Sequence, residues 1–291
     1  MTIALMQQSD TEIRQLVTDV ASQLANSPSA RLDARWLIGL AIGQDSPVFS
    51  HQQIALDAGQ HDRLAALIAD RKSGKPISRM RGVRSFYRHD FYLNSATLDP
   101  RPDSEILVET AISWAQARYH RQLRIADLGT GTGCLLLSVL DRIGHATGIG
   151  LDCQPLAIAQ ARANAACLSL AKRAEFVVSD WCSGLDGRVD LILANPPYIA
   201  VDDPQLSDDV RLFDPEQALF AGPTGLDAYC VLLPQLPDYI ADDGLCLIEI
   251  GAGQHEDVCL IAEAAGLALD ACYHDLGKHI RVLGFSKKDQ H

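Results

Sequence analysis

The 291-residue chain has no apolar run approaching the ~20 residues that a membrane-crossing helix requires. Its first ten residues lack a basic stretch followed by an apolar one, so no secretion signal is read there and the expected location is cytoplasmic, away from membranes. Eight cysteines never form a Cys-x-x-Cys pair, and nine histidines never form His-Glu-x-x-His. Neither a disulfide framework nor a metal site is expected, and the cysteines inside apolar periodic segments read as small buried hydrophobes. Runs of Lys and Arg are missing as well: 25 basic residues stand against 37 acidic ones, a formal charge of −12. Because sequence-independent affinity for nucleic acid comes largely from Lys and Arg neutralising phosphates, the balance speaks against direct nucleic-acid binding and for a protein partner with a basic surface. No internal repeat or low-complexity segment interrupts the chain.

What is present is enough apolar residue, 47%, for one large domain and one small one. Residues 11–26, 28–42 and 51–72 carry apolar side chains at three- and four-residue spacing and predict helices of a small bundle, with Leu32, Ala34, Trp36, Leu37, Leu40 and Ala41 on one packed face. Aromatic alternation around Arg88-His89-Asp90 predicts a hairpin, after which Asp103 or Ser104 can cap a helix running to about residue 118. Strands at 124–128, 147–151, 174–178, 190–194 and 244–250 then alternate with helices at 133–143, 155–168, 226–239 and 254–265. That alternation predicts an α/β fold, a mostly parallel sheet covered on both faces, and two final strands at 268–273 and 279–285 predict an antiparallel edge.

Two segments carry chemistry. Asp127-Leu128-Gly129-Thr130-Gly131-Thr132-Gly133 follows the first predicted strand of the sheet, and Asn195-Pro196-Pro197-Tyr198 ends a later one. The second suits reaction at a planar nitrogen whose lone pair is delocalised, a resonance that in the peptide bond sets a barrier of ~18–20 kcal/mol. The Asn195 side-chain carbonyl and the Pro196 backbone carbonyl can accept from the two N–H bonds of such a nitrogen, and Tyr198 offers a ring face for a planar group. Pro196 and Pro197 make the fork stiff before substrate arrives. The competing reading is a strand-terminating turn.

In the glycine loop the third glycine comes one residue too early for the Gly-x-Gly-x-x-Gly of a dinucleotide site. The loop instead fits S-adenosyl-L-methionine, which has no pyrophosphate to neutralise. Gly129, Thr130, Gly131, Thr132 and Gly133 would wrap its amino acid part and ribose, with Asp127 acting on loop amides or on the ammonium. Asp152, after the next strand, can accept both ribose hydroxyls or start a helix; Asp180 can accept from the adenine amino group while Trp181 lines the ring or closes the core edge. Asn195 also belongs to this set.

The chain resembles the bacterial peptide chain release factor glutamine methyltransferases of the HemK/PrmC type. The resemblance rests on the helical N-terminal part, the hairpin at 82–91, Pro-Arg-Pro-Asp-Ser-Glu at 100–105, the glycine loop, Ser179-Asp180-Trp181, Asn-Pro-Pro-Tyr-Ile at 195–199, Glu249-Ile250-Gly251 with Gln254, and 275–281. It implies a Rossmann-like class I methyltransferase sheet, mostly parallel with an antiparallel C-terminal hairpin, plus a small N-terminal helical bundle: a recognition domain at 1–75, a hairpin linker at 76–102 and a methyltransferase domain at 103–291. It implies methyl transfer from S-adenosyl-L-methionine, yielding S-adenosyl-L-homocysteine, to the glutamine of the Gly-Gly-Gln tip of class 1 release factors. Asn195, Pro196 and Tyr198 would be catalytic, Asn195, Pro196, Pro197 and Tyr198 would hold the substrate, and the chain would work as a monomer. Asp99, Asp214-Pro215 and Pro223 depart from the family pattern in surface loops and bear on partner fit rather than on reaction type. Arg101 and Glu105 are open between an ion pair at the helix start and a positioning role. Two further classes stay in view: a sister enzyme acting on a ribosomal protein glutamine or on an exocyclic amino group of a base, and a cofactor-binding regulator without catalysis.

Overall fold

The computed structural model describes residues 2–49, 51–52, 54–275 and 277–288, with side chains from Ile13 onward. Its contacts divide the chain into two units, Met1–Val83 with Ser207–Phe213, and Arg84–Leu206 with Asp214–His291.

The first unit is helical. Helices α1 (Thr2–Gln23), α2 (Ala30–Ala41), α3 (Ala58–Lys72) and α4 (Ile77–Arg81) gather Val17, Val20, Leu37, Ile38, Leu64 and Ile68 into one apolar cluster. The third helix starts at Ala58 rather than at residue 51, because Asp57 and Gln60 form a reciprocal capping box that fixes the first turn. Leu32 is 52% exposed, and Trp36 is only half-buried, with the Arg81 guanidinium 4.3 Å above its ring, so the packed face of α2 is narrower than its pattern suggests. One buried charge holds the unit: Asp33 accepts from Arg71 at 2.8 Å and from the hydroxyls of Ser27 and Ser29.

The second unit opens with the hairpin strand β1 (Val83–Phe86) and its partner β2 (His89–Tyr92). Phe86 and Phe91 meet edge to face and are buried in the core beside helix α5 (Glu105–Gln116). The buried Asn164 fixes β2, accepting from the Tyr92 amide at 3.0 Å and donating to the carbonyls of Tyr92 and Thr132. There follow β3 (Leu123–Leu128), α6 (Cys134–Arg142), β4 (Ala146–Asp152), α7 (Pro155–Cys167), β5 (Ala174–Val178) and β6 (Val189–Ala194). Between β6 and the next strand the chain carries two short helices, α8 (Asp208–Phe213), which belongs to the first unit, and α9 (Glu216–Leu219). Pro234 and Pro237 break the expected continuous helix into α10 (Asp227–Leu232), a 3₁₀ turn and α11 (Leu236–Tyr239), each proline removing an amide donor. Then come β7 (Ile240–Glu249), α12 (His255–Ala264), β8 (Leu267–His274) and β9 (Ile280–Lys287); Leu276 of the final turn lies outside the described residues.

The sheet order is β5-β4-β3-β6-β7-β9-β8, parallel from β5 to β7 and antiparallel at β7–β9 and β9–β8. Alternation along the strands sorts side chains onto two cores. Ile125, Leu191, Leu193 and Leu247 face one cluster, and Ala126, Ile192, Ala194 and Ile248 the other. The cysteines are free, but only Cys182 and Cys246 are buried while Cys153, Cys167 and Cys230 are exposed. No described helix is long and apolar enough to cross a membrane.

A Cβ at Gly39 would sit 2.0 Å from the Ser46 carbonyl oxygen, a backbone atom that cannot swing away. Gly39→Ala is therefore expected to destabilise the first unit by ~1–3 kcal/mol, the range of overpacking changes. Hydrogen exchange of the α2 amides, faster in the variant, measures it.

A candidate cofactor and methyl-acceptor site

The order of the parallel strands reverses at β3, with β4 on one side and β6 on the other, and open α/β sheets bind ligands at the carboxyl ends of strands at such a switch. Register makes the placement specific. Leu128 pairs with Leu151 and with Ala194, and Asp152 pairs with Val178, so Gly129, Asp152, the segment after Val178 and Asn195 leave the sheet along one edge.

A cavity of about 590 Å³ opens there, a size suited to a small cofactor. It is lined by Gly129, Thr130, Gly131 and Thr132, by Asp152, by Asp180 and Trp181, and by Asn195 and Pro197. Gly131 has φ +54 and open space where a Cβ would project, so the loop backbone is bare toward the cavity. Gly133 lies behind, with φ +79, where a Cβ would press on Leu137 and Ala161.

Asp152 accepts from the Gly131 amide at 2.9 Å through one carboxylate oxygen and from the Gln154 amide at 2.9 Å through the other. Each oxygen keeps a further lone pair for a hydroxyl. Burial raises its pKa, opposed by those two amides. Asp180 is exposed at the rim; Trp181, at φ +46, packs on the second core and carries its ring to the face of Gly129.

Asp127 lies beneath the loop rather than in the cavity lining. Wholly buried, it accepts from the Thr130 hydroxyl at 2.7 Å while its other oxygen has no hydrogen bond among the described residues. Burial pushes its pKa up to about 7.

The Asn195-Pro-Pro-Tyr198 loop divides. Asn195 and Pro197 line the cavity, Pro196 is buried, and Tyr198 is half-buried beside it without lining it. Asn195 donates its amide to the Ser104 hydroxyl at 3.1 Å, which leaves the side-chain carbonyl for another partner. Ser104 precedes α5 but makes no side-chain cap, so the predicted capping role is replaced by this contact. The Tyr198 hydroxyl donates to Glu249 at 3.4 Å, and the Tyr198 carbonyl accepts from Gln254 at 3.0 Å. Glu249 is 1% exposed, and burial pushes its pKa up to about 7, with Asp103 raising it further and Ser104, Arg281 and Tyr198 opposing.

In the sequence Ser104 is one of two cap candidates, with Asp103, and nothing ties Glu249 to the site except its polar character in the middle of an apolar strand, as in Leu-Ile-Glu-Ile at 247–250. Arg101 and Glu105 do not pair with each other. Arg101 lines the cavity and bridges to Asp214, whereas Glu105 accepts from the Tyr87 amide at the hairpin turn.

Comparison with known proteins agrees with this architecture. Residues 102–213 match a family model described as methyltransferase small domain, and residues 15–82 match one described as PrmC N-terminal domain. The chain is 40% identical over 264 residues to the release factor glutamine methyltransferase of Rhodospirillum rubrum, covering 90% of this chain and 80% of that one. It is 39% identical over 261 residues to the protein of the same name from Cereibacter sphaeroides, covering 89% and 92% respectively. Among solved structures, a ribosomal protein L11 methylase from Lactobacillus delbrueckii subsp. bulgaricus superposes with a TM-score of 0.50 at 19% identity, over 71% of this chain and 98% of that one, a likeness of fold.

The two buried carboxyls set a pH dependence. Their folded pKa values near 7 stand above ordinary carboxylate values, so the folded state holds more protons than the unfolded one between about pH 4 and 7. Their contribution is fully present below about pH 4 and is lost as pH rises through 7. Glu249→Gln is expected to flatten part of that fall, read as the difference between variant and wild-type denaturation midpoints from pH 5 to 8.

Proposed function

We infer how this site works from one premise: the chain belongs to the release factor glutamine methyltransferase family. It is an S-adenosyl-L-methionine-dependent enzyme that transfers a methyl group to the side-chain amide nitrogen of a glutamine in a release factor. We place that glutamine in the Gly-Gly-Gln tip of class 1 factors. When bound, S-adenosyl-L-methionine supplies a methyl group on a sulfonium sulfur and leaves as S-adenosyl-L-homocysteine.

The residues present fit that cofactor. The cavity has a bare glycine backbone, a carboxylate at Asp152 with acceptor capacity left over, and an indole wall at Trp181. Asp152 would take the ribose hydroxyls, Asp180 and Trp181 the adenine, and Gly129, Thr130, Gly131 and Thr132 the amino acid part, while Gly133, behind the lining, would shape the loop by letting it pack against Leu137 and Ala161. Asp127 would hold the loop from below through Thr130.

The observation that carries the reading is Asn195, held by Ser104 at the rim of the cavity with its amide nitrogen already engaged. Its free carbonyl, with that of Pro196, accepts from the two N–H bonds of the glutamine amide and turns the nitrogen lone pair toward the methyl group. Tyr198 and Pro197 bound the position of the planar amide. After transfer the nitrogen is acidic and yields a proton to water, so a dedicated base is not needed. The chain is proposed to work as a monomer, and the net charge of −12 supports a protein rather than a nucleic-acid acceptor. The helical N-terminal unit, matched to the PrmC N-terminal domain, is proposed to grip the factor.

Transfer of labelled methyl to purified release factor, with a Gln→Ala tip variant, ribosomal proteins, DNA and ribosomal RNA in parallel, tests the substrate. Label on the factor that vanishes in the tip variant is expected; label on another acceptor with the factor blank would overturn the assignment. Asn195→Ala is expected to keep cofactor affinity within about twofold while collapsing turnover, because its acceptor acts on the reacting amide. Asp152→Ala is expected to weaken cofactor binding by ~1–3 kcal/mol in calorimetry, the scale of lost charged hydrogen bonds.

A further inference from the structure

Gln254 stands at the N-terminal boundary of α12 but makes no side-chain cap there; its amide turns back to the loops around the acceptor site. Nε2 donates to the Tyr198 carbonyl at 3.0 Å and to the Gly225 carbonyl at 3.3 Å. Oε1 accepts from the Gly251 amide at 2.9 Å and, at 3.4 Å, shares with the Glu249 carbonyl the single proton of the buried Tyr229 hydroxyl. A primary amide has two N–H donors and two acceptor lone pairs, so its full capacity is used. The partners also fix which way round it stands, since reversal would set an NH₂ group against the Gly251 N–H and an oxygen against two carbonyls.

Two glycines make room for this amide. A Cβ at Gly251 would lie 2.6 Å from Gln254 Oε1 and 3.1 Å from Tyr198 Cδ2. A Cβ at Gly225, where φ is +75, would lie 2.4 Å from the Tyr198 oxygen and 2.9 Å from Gln254 Nε2. The turn after β7, the loop before α10 and the Asn-Pro-Pro-Tyr loop therefore close on one side chain.

The last of these loops has few means of holding itself. Pro196 and Pro197 have no N–H to donate, and with φ fixed at both, the direction of the Pro196 carbonyl is set by the ψ angles between Asn195 and Tyr198. Asn195 is anchored at one end by its contact with Ser104, at 3.1 Å. At the other end Gln254 holds the Tyr198 carbonyl, and the next amide, that of Ile199, donates to the Leu219 carbonyl at 2.9 Å. Pinning both ends removes the freedom left to the carbonyl between them.

We propose that Gln254 is a positioning residue for methyl transfer, a clamp that acts through Tyr198 to aim the Pro196 carbonyl and the Tyr198 ring at the amide of the acceptor. The proposal rests on the reading of Asn-Pro-Pro-Tyr as the acceptor loop and adds what holds that loop in its reactive shape. Gln254, Gly225, Gly251 and Tyr198 all lie outside the lining of the cofactor cavity, so the clamp serves the acceptor and not the cofactor.

Gln254→Glu keeps the shape and the oxygen facing Gly251 but loses both donors; Gln254→Met fills a similar volume with neither donors nor charge. In both, kcat is expected to fall by up to about 100-fold, the scale of a ~1 Å misplacement at a reacting centre, while the calorimetric dissociation constant for S-adenosyl-L-methionine changes less than about twofold. Rates are taken on whichever acceptor the wild-type enzyme labels, so a blank release factor overturns the substrate while the clamp is still tested. Exchange of the Ile199 amide proton needs no acceptor at all, and is expected to quicken about tenfold or more in both variants as the loop end is released. Unchanged kcat, equal losses in kcat and cofactor affinity, or unchanged Ile199 exchange would each overturn the clamp. Should neither variant fold, as judged by circular dichroism, the wild-type Gln254 NH₂ protons decide: exchange about tenfold or more slower than in free glutamine supports the clamp, and exchange at the free rate overturns it.

Discussion

Everything the site does depends on the parallel pairing of β3 with β6. Leu128 lies opposite Ala194 in that ladder, so the glycine loop and Asn195, far apart in sequence, leave the sheet side by side. A slip of one residue would turn every side chain of β6 to the other face and move Leu191 and Leu193 out of one core while pulling Ile192 and Ala194 out of the other. Because both faces are buried, that slip is resisted by the whole apolar interior. Packing that has nothing to do with chemistry thus sets the distance between cofactor loop and methyl-acceptor loop.

The polar residues beneath the site work against that interior. Asp127 and Glu249 are carboxyls in core strands, each with an oxygen that finds no hydrogen bond among the described residues, and burial raises both toward neutrality. Such groups weaken a fold, and they are retained where they position something. Asp127 holds Thr130 and with it the glycine loop; Glu249 holds Tyr198. The loop after Tyr198 is tied down further by Gln254, which donates to the carbonyls of Tyr198 and Gly225, and by the close approach of Gly225, where a Cβ would lie 2.4 Å from the Tyr198 oxygen.

Much of this was legible in the residues. The alternation of strands and helices, the glycine loop, Asp152 and the Asn-Pro-Pro-Tyr turn could each be located because they lie in contiguous stretches governed by local rules of periodicity and turn chemistry. Helix ends and interruptions were less so. Pro234 and Pro237 broke a helix whose apolar spacing was continuous, and the Asp57–Gln60 capping box moved the start of α3 well past the first apolar residue of its pattern. Trp36 and Leu32 shared a helical spacing with the core yet stayed partly or largely exposed, since a periodic stripe does not say how wide the neighbouring surface is.

The sequence by itself determined the elements, their order and the two loops that carry the chemistry, because hydrophobic period, glycine and proline act within a few residues. Only the tertiary structure decided partners. Ser104, a cap candidate alongside Asp103, instead receives Asn195; Arg101 and Glu105, open between an ion pair and a positioning role, bind Asp214 and the Tyr87 amide rather than each other; Asn164, unremarkable in its helix, joins the hairpin to the glycine loop. A hydrogen bond is satisfied by whatever donor the fold brings within about 3 Å. Which donor that is depends on the register of strands and the packing of layers, quantities summed over the whole chain and written at no single position in it.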